Sequence, residues 1–220
     1  MDADALSPVA QDYLKVIWSA VEWGDPPITT TGLAERFGTS RANVSDVMRR
    51  LQAQGLVDYQ PYHPVTLTPL GETLALAMVR RHRLIECFLA EVLHYSWEEV
   101  HDDAERLEHA ASPRFLDSID ALLGHPTTDP HGDPIPTADG RWSLPAGVVS
   151  LAAAEPGSHR VVRVSDADSD VLARLQGIGV RPGAVVRVRT QPPRYVGAAG
   201  EALGLTPAEA ETIRVRGVLA

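Results

Sequence analysis

Cysteine is all but missing from this 220-residue chain: Cys87 stands alone, which excludes an internal disulfide and any zinc site built on several thiolates. No apolar run approaches the ~20 residues that span a bilayer, so no transmembrane helix is expected. The N-terminal stretch MDADALSPVAQDY is acidic and lacks the basic-then-apolar order of a secretory signal, which points to the cytoplasm. HExxH, GxSxG and phosphate-loop signatures are absent too. Positive charge is short: 20 Lys and Arg face 29 Asp and Glu, a formal net charge of −9, the wrong sign for a protein that holds nucleic acid by default. What is present is globular, 44% hydrophobic and 22% charged, enough for one large domain or two to three small ones with a real core.

In residues 1–73, Ser7-Pro8 supplies an N-cap and a first-turn proline. Tyr13, Leu14, Ile17, Trp18, Ala20 and Val21 give an apolar face at helical spacing, and Gly24-Asp25-Pro26-Pro27 ends it. A short helix over 31–37, the turn Gly38-Thr39-Ser40 and a helix over 41–54 burying Val44, Val47, Met48 and Leu51 follow. Gly55 stops that helix, and 56–59 and 65–67 read as two short strands. Helix, turn, helix and ribbon is the order of a winged helix-turn-helix.

Leu74, Leu76, Ala77, Met78, Leu84, Ile85, Phe88, Leu89, Val92 and Leu93 then predict a long helix, more apolar than a lone surface helix needs, so a partner helix or subunit is expected. Ser96-Trp97-Glu98-Glu99 reads as a capping box opening a helix to about 111, and Ser112-Pro113 opens another that ends near Gly124. Residues 124–147, rich in Pro and Gly, read as a linker or ordered loop. Beyond it, 159–164, 184–189 and 213–218 alternate with period two around one short helix over 170–176, the pattern of a small β-barrel.

The chemistry lies in the middle. Along VHDDAERLEH, residues 100–109, the ~100° step of an α-helix puts His101, Glu105, Glu108 and His109 within an arc of roughly 100°. The preceding helix offers His82 and Glu86 one turn apart. Packed antiparallel, the two helices bring six N and O ligands together. A single His/Glu pair is more often a solvated face; four such residues on one stripe beside a second pair argue for a site. Imidazoles and carboxylates without thiolate suit Mn(II), Fe(II) or Zn(II), with room for two ions, and like charges so close need a cation. Glu98, Asp102 and Asp103 read as first-turn acids favoured by the helix dipole, and Cys87 as a buried core thiol. His63, in the wing, and His94, at a helix end, read as non-ligands, and His125 and His131, in the Pro/Gly loop, as solvent-exposed rather than ligating.

For DNA, the recognition helix begins Ser40-Arg41-Ala42-Asn43 and continues through Ser45, Asp46, Arg49 and Arg50. Its small and amide residues suit the major groove, and its arginines reach phosphate or guanine. Thr29, Thr30 and Thr31 open the preceding helix, whose first amides suit a phosphate. Asp46 either accepts from cytosine or is simply exposed. Against this, residues 1–73 hold nine Asp and Glu against five Lys and Arg, a net −4.

VAQDYLKVIW, MVRRHRLIECFL, EVHDDAERLEHAAS, DPHGDPIP and LARLQGIGVRPGAVVRV, in that order, resemble the diphtheria toxin repressor family of metal-dependent transcriptional regulators over nearly the whole chain. Within it the sequence is similar to manganese transport regulators of actinobacteria, in a long form whose C-terminal SH3-like domain is similar to the iron-transport protein FeoA. The resemblance implies a multidomain, mainly α protein: a winged helix-turn-helix domain over 1–73, a helical metal-binding and dimerisation domain over 74–141, and a small SH3-like β-barrel over 142–220. It carries His82, Glu86, His101, Glu105, Glu108 and His109 over as ligands and adds Asp12, just before Tyr13-Leu14. It implies a repressor and not an enzyme: a homodimer holding two Mn(II) per subunit that binds a palindromic operator in double-stranded DNA near manganese-uptake genes. Fe(II) and other divalent ions are alternatives. Iron regulators of the family have methionine at the Asp12 position and cysteine at that of Glu105; carboxylates at both points match manganese. Lys15 departs from manganese regulators that have glutamate there, since a charged lysine does not ligate. Asp166 and Asp168 are candidates for ligands lent by the SH3-like domain, beside turn and cap roles.

Two divalent ions per subunit would offset the −4 of residues 1–73 and set two recognition helices the about 34–36 Å apart that one DNA turn requires. Three readings compete: an Fe(II)-dependent repressor of the same architecture, a metal-dependent hydrolase using the His/Glu cluster, which needs an open coordination position and a base in a cleft, and a constitutive winged-helix protein with structural metal.

Overall fold

Three hydroxyl side chains open the first three helices. In the computed structural model, which describes residues 3–97, 99–192 and 194–218, Ser7 Oγ accepts from the Ala10 N–H at 3.3 Å and starts α1 (Pro8–Glu22). Thr29 accepts from Gly32 at 3.2 Å to start α2 (Thr30–Arg36), and Ser40 from Asn43 at 3.2 Å to start α3 (Arg41–Ala53). α2 begins one residue ahead of the sequence expectation because Thr29 is its cap. Leu14, Ile17, Leu33, Val44, Met48 and Leu51 are buried together with Leu56 and Val65, and the Tyr13 ring stacks on Phe37 at 4.1 Å. β1 (Val57–Asp58) and β2 (Thr66–Leu67) pair antiparallel, Val57 opposite Leu67, as a ribbon shorter than expected.

α4 (Pro69–Glu91) starts five residues before the apolar pattern does. Thr68 explains this: its hydroxyl accepts from the Gly71 N–H at 3.1 Å and donates to the Gly55 carbonyl at 2.7 Å. Gly71 lies directly on the chain that enters the ribbon, where an added Cβ would sit 1.9 Å from the Leu56 carbonyl oxygen. Backbone does not yield as a flexible side chain does, so Gly71→Ala is expected to cost about 3 kcal/mol. A urea midpoint equal to that of the wild type would refute this.

The chain divides into two units: residues up to His82 with Pro136–Arg141, and Arg83–Ile135 with the residues from Trp142 on. In the second unit, the capping box expected at Ser96–Glu99 does not form: the Ser96 hydroxyl and N–H both donate to Glu99 Oε2, at 2.5 and 3.1 Å, but the helix begins only at Val100, with Glu99 as its N-cap and no side-chain cap bond. That helix, α5 (Val100–Leu107), ends four residues short of 111. The residue before a proline disfavours helix, and Ser112 instead caps α6 (Pro113–Leu122), accepting from Phe115 at 3.3 Å. Glu98 lies outside the described residues. Leu84, Ile85, Leu89, Val100, Ala104 and Ile119 pack as one core.

The remainder of this unit is a five-stranded antiparallel sheet. Its order is β3 (Val148–Ser150), β7 (Ile213–Gly217), β4 (Gly157–Val164), β5 (Val185–Val188), β6 (Tyr195–Val196). α7 (Ser169–Gly177) and α8 (Pro207–Glu211) accompany it around a core of Val161, Val186, Ile213, Leu172 and Leu175. The expected barrel is an open sheet: its edge strands β3 and β6 run three and two residues and do not pair with one another. No helix of the described residues is long and apolar enough to cross a membrane.

Candidate metal centre

α4 carries His82 and Glu86 one turn apart, and α5 carries His101 and Glu105 likewise. Glu108 and His109 follow the last turn of α5. Glu108 is fully buried and its Oε1 lies 3.9 Å from His109 Nε2. Within the second unit, α4 and α5 bring Glu86 to His101: Oε1 is 3.5 Å from His101 Nδ1, and Glu105 Oε1 is 3.8 Å from His101 Nε2. Two residues from elsewhere join them. Asp166, after β4, puts Oδ2 3.3 Å from His101 Nδ1, and His131 puts Nδ1 3.9 Å from Glu86 Oε2. Glu86, His131 and Asp166 each offer an atom within 4.8 Å of the others.

His131 tests whether a cation fits. It is fully buried, not exposed as the loop composition suggested. Its ring stacks on Trp97 at 5.3 Å, its Nε2 lies 3.3 Å from the Trp97 carbonyl, and Trp97 Nε1 donates to the Pro130 carbonyl at 2.9 Å. A carbonyl only accepts, so Nε2 holds the hydrogen and a neutral ring keeps its lone pair at Nδ1. Nδ1 is buried and has no hydrogen-bond partner among the described residues. A bare nitrogen facing two carboxylates offers donors that suit a divalent cation.

The charges agree. Burial alone would lower the His101 pKa, but the Asp166 and Glu86 carboxylates raise it to about 10. Burial pushes Asp166 up, and the His101 imidazole more than offsets this, to about 2. Without metal, an imidazolium therefore stands among the carboxylates. Burial lifts the Asp129 carboxyl well above its usual range, with Asp133 and Glu86 adding to it and Arg83 opposing. Burial likewise drives the Cys87 thiol up, and its Sγ lies 3.6 Å from the Thr128 carbonyl, so it is the core thiol expected and not a thiolate ligand.

Of the remaining candidates, Asp12 lies half-buried on α1, and Lys15 is buried on the same helix. Asp168 is the N-cap of α7, its Oδ1 accepting from Asp170 and Val171 at 3.0 and 3.1 Å. His125 is exposed with its Nδ1 3.0 Å from Asp120 Oδ2, and His63 and His94 are exposed. Asp166 had been one of two equal candidates, and His131 was missed. The signal for His131 was its place between Asp129 and Asp133 in DPHGDPIP, where two carboxylates flank an imidazole.

On α3, Arg41, Ala42, Asn43, Asp46, Arg49 and Arg50 are exposed along one side. Asp46 is paired with Arg49 at 2.5 Å, which accounts for an acid on this face. Ser45 accepts from the Tyr59 hydroxyl at 3.0 Å and so braces the ribbon. Ser40 is engaged as a cap, and Thr30 is the first residue of α2.

Residues 5–65 match the family described as iron dependent repressor, N-terminal DNA binding domain; 68–137 match its metal binding and dimerisation domain; 149–217 match the FeoA domain. The iron-dependent repressor IdeR of Mycobacterium leprae is 35% identical over 195 residues, covering 82% of this chain and 83% of that protein. The diphtheria toxin repressor of Corynebacterium diphtheriae is 30% identical over 186 residues, covering 80% and 82%. Among solved structures, a manganese-dependent transcriptional repressor in complex with manganese is 45% identical, covers 95% of this chain and 100% of its own, and superposes with a TM-score of 0.87. The manganese regulator SloR is 29% identical, covers 97% and 100%, and gives 0.79.

Proposed function

The chain belongs to the iron-dependent (diphtheria toxin) repressor family of metal-dependent transcriptional repressors, and we propose that within it Mn(II) is the activating ion and manganese-uptake genes are the target. The choice of metal rests on one observation: the donors gathered around Glu86 are carboxylate oxygens and imidazole nitrogens alone, while the single thiol is protonated in the core. Such a set disfavours Mn(II) less than one bearing sulfur. The neighbour at 45% identity is named for manganese and the relative at 35% for iron, which leans the same way.

Two ions per subunit fit the count of donors. One falls to Glu86, His101, His131 and Asp166, with His82 on the same helix as Glu86. The other falls to Glu105, Glu108 and His109, to which the resemblance adds Asp12. A bound ion supplies positive charge to these carboxylates, of which Glu86 and Glu108 are fully buried. DNA and a second copy of the chain are its partners. Leu107 at the end of α5, and Phe115 and Leu122 on α6, are exposed and offer apolar surface for the second copy. The operator is read as a palindrome, by Arg41, Ala42, Asn43, Arg49 and Arg50, with Thr30 and Ser40 near phosphate, in the cytoplasm. The domain divisions proposed are those at 73 and 141. The relatives are repressors, not enzymes, so the hydrolase reading is set aside.

The test strips the protein with chelator and captures fragments of its genome without metal, with Mn(II), and with anaerobic Fe(II). Enrichment of a palindrome beside a metal-transporter gene at lower Mn(II) than Fe(II) is expected. A lower requirement for Fe(II) would make this an iron repressor, and capture without metal would remove the switch. Asp12→Met should move the ranking toward Fe(II) or Co(II) by about tenfold; an unchanged ranking in metal titrations counts against the role of Asp12.

A further inference from the structure

His131 is held from two sides. On one, Arg83 of α4 donates to the Pro134 carbonyl at 2.7 Å and faces Asp129 and Asp133 at 3.4 and 3.6 Å. Asp129 Oδ1 then accepts from the His131 and Asp133 amides, both at 2.9 Å, closing the loop on itself. On the other side stand three consecutive contacts from β4. The Val164 N–H donates to the His131 carbonyl at 2.9 Å. Gly132, at φ +90°, lies so close that a Cβ would meet the Val162 carbonyl oxygen at 2.0 Å. The Arg163 guanidinium, 1% exposed, pairs with Asp133.

The register explains the third contact. β4 shifts against β7 between Val161 and Arg163, so that Val161 faces Val215 and Arg163 faces Arg214, with Val162 extra. A bulge of this kind re-aims the side chain beside it. Here a long cation is buried at the end of a strand where Val164 is also buried. A buried arginine is costly unless its charge is used, and this one is spent on the loop that carries His131.

We propose that Arg163 is a positioning residue for the metal centre: through Asp133 it fixes His131, so that the FeoA-like part of the chain sets the geometry of a site whose other donors stand on α4 and α5. This rests on the two-ion reading above. Its effect passes through Asp133, with which it pairs, and through the loop backbone. Asp166, two residues beyond Val164, is carried by the same strand end, so both contributions from this part of the chain share one anchor.

The experiment counts bound Mn(II) by electron paramagnetic resonance in full-length wild type, Arg163→Met, Arg163→Lys and His131→Ala. Wild type should bind two ions per subunit. Arg163→Met should weaken one of them by about 10- to 100-fold, the range for partners that orient a ligand, and it should be the ion lost in His131→Ala. Arg163→Lys keeps the charge without the planar fork and should fall between. Two ions at wild-type affinity in Arg163→Met overturn the proposal. A wild type that binds one ion overturns the two-ion reading and this inference with it. Should Arg163→Met fail to fold, Asp133→Asn/Arg163→Met removes both buried charges and takes its place. Amide exchange in the wild type gives a second readout: Mn(II) should slow the Val164 N–H, and should not do so in His131→Ala. An unchanged Val164 rate in the wild type overturns the coupling.

Discussion

Glu108→Ala is expected to abolish Mn(II)-dependent operator binding, a loss of at least about 100-fold, in a protein that still folds and dimerises. Partners that merely orient a ligand already account for about 10- to 100-fold, and loss of a ligand exceeds that. Glu108 is fully buried just past the last turn of α5, beside His109. A fully buried carboxylate is costly unless its charge is used, and a bound cation is the use proposed for this one. Alanine suits the end of a helix and leaves no charge to bury, so the metal-free fold should survive. The loss of DNA binding follows from charge and from geometry. Residues 1–73 are net −4, so bound ions are expected to raise the affinity for a polyanion. Binding of metal and of DNA are then linked, each tightening the other by the same factor. Anisotropy titrations of labelled operator, with and without Mn(II), read the first effect. Sedimentation and circular dichroism read the fold and the dimer. A Glu108→Ala protein that answers Mn(II) as the wild type does sinks the assignment of this residue.

What could be read in advance follows from how local each signal was. Ser7, Thr29 and Ser40 sit beside the amides they cap, so the three helices of the winged helix were legible within one or two residues. The His/Glu spacing on α4 and α5 is also local, and it singled out Glu86 and His101, which lie 3.5 Å apart. The stripe from His101 to His109 is less regular than its spacing suggests, because α5 ends at Leu107 and leaves Glu108 and His109 past its last turn. α8 was missed although Thr206 and Glu209 form a complete capping box, a local signal that was there to use. His131 and Asp166 were a different matter. Each owes its place to the meeting of a loop with β4, through Gly132, Val164 and Arg163, and no spacing along the chain encodes that approach. Asp166 and Asp168 could not be ranked for the same reason: one reaches His101 across the unit, and the other turns back to cap its own helix.

Raising the pH from 6.5 to 8.5 is expected to tighten Mn(II) at the Glu86 centre about 100-fold, one factor of ten per pH unit. His101 is the cause. Burial would lower its pKa, but Asp166 at 3.3 Å and Glu86 at 3.5 Å hold it at about 10 in the metal-free protein. Throughout that range its Nδ1 carries a proton, and it must give that proton up before it ligates. Stability of the metal-free protein should run the other way. A His whose pKa rises on folding contributes stability fully present below its unfolded value of 6.5, lost as pH climbs through about 10. Asp166, held at about 2 against an ordinary 3.8, contributes above 3.8 and loses it as pH falls through about 2. Both describe one ion pair, counted once, at its strongest between about pH 4 and 6.5. The melting temperature of the stripped protein should therefore fall from pH 6.5 to 9, while the Mn(II)-loaded protein, whose cation no longer depends on a proton, should hold. Asp166→Asn removes the first carboxylate raising His101, so the His101 pKa followed by NMR in the stripped variant should drop. Anaerobic Mn(II) titrations at pH 6.5, 7.5 and 8.5 decide the matter: a dissociation constant that stays flat would mean that His101 keeps no proton to surrender and stands outside the centre.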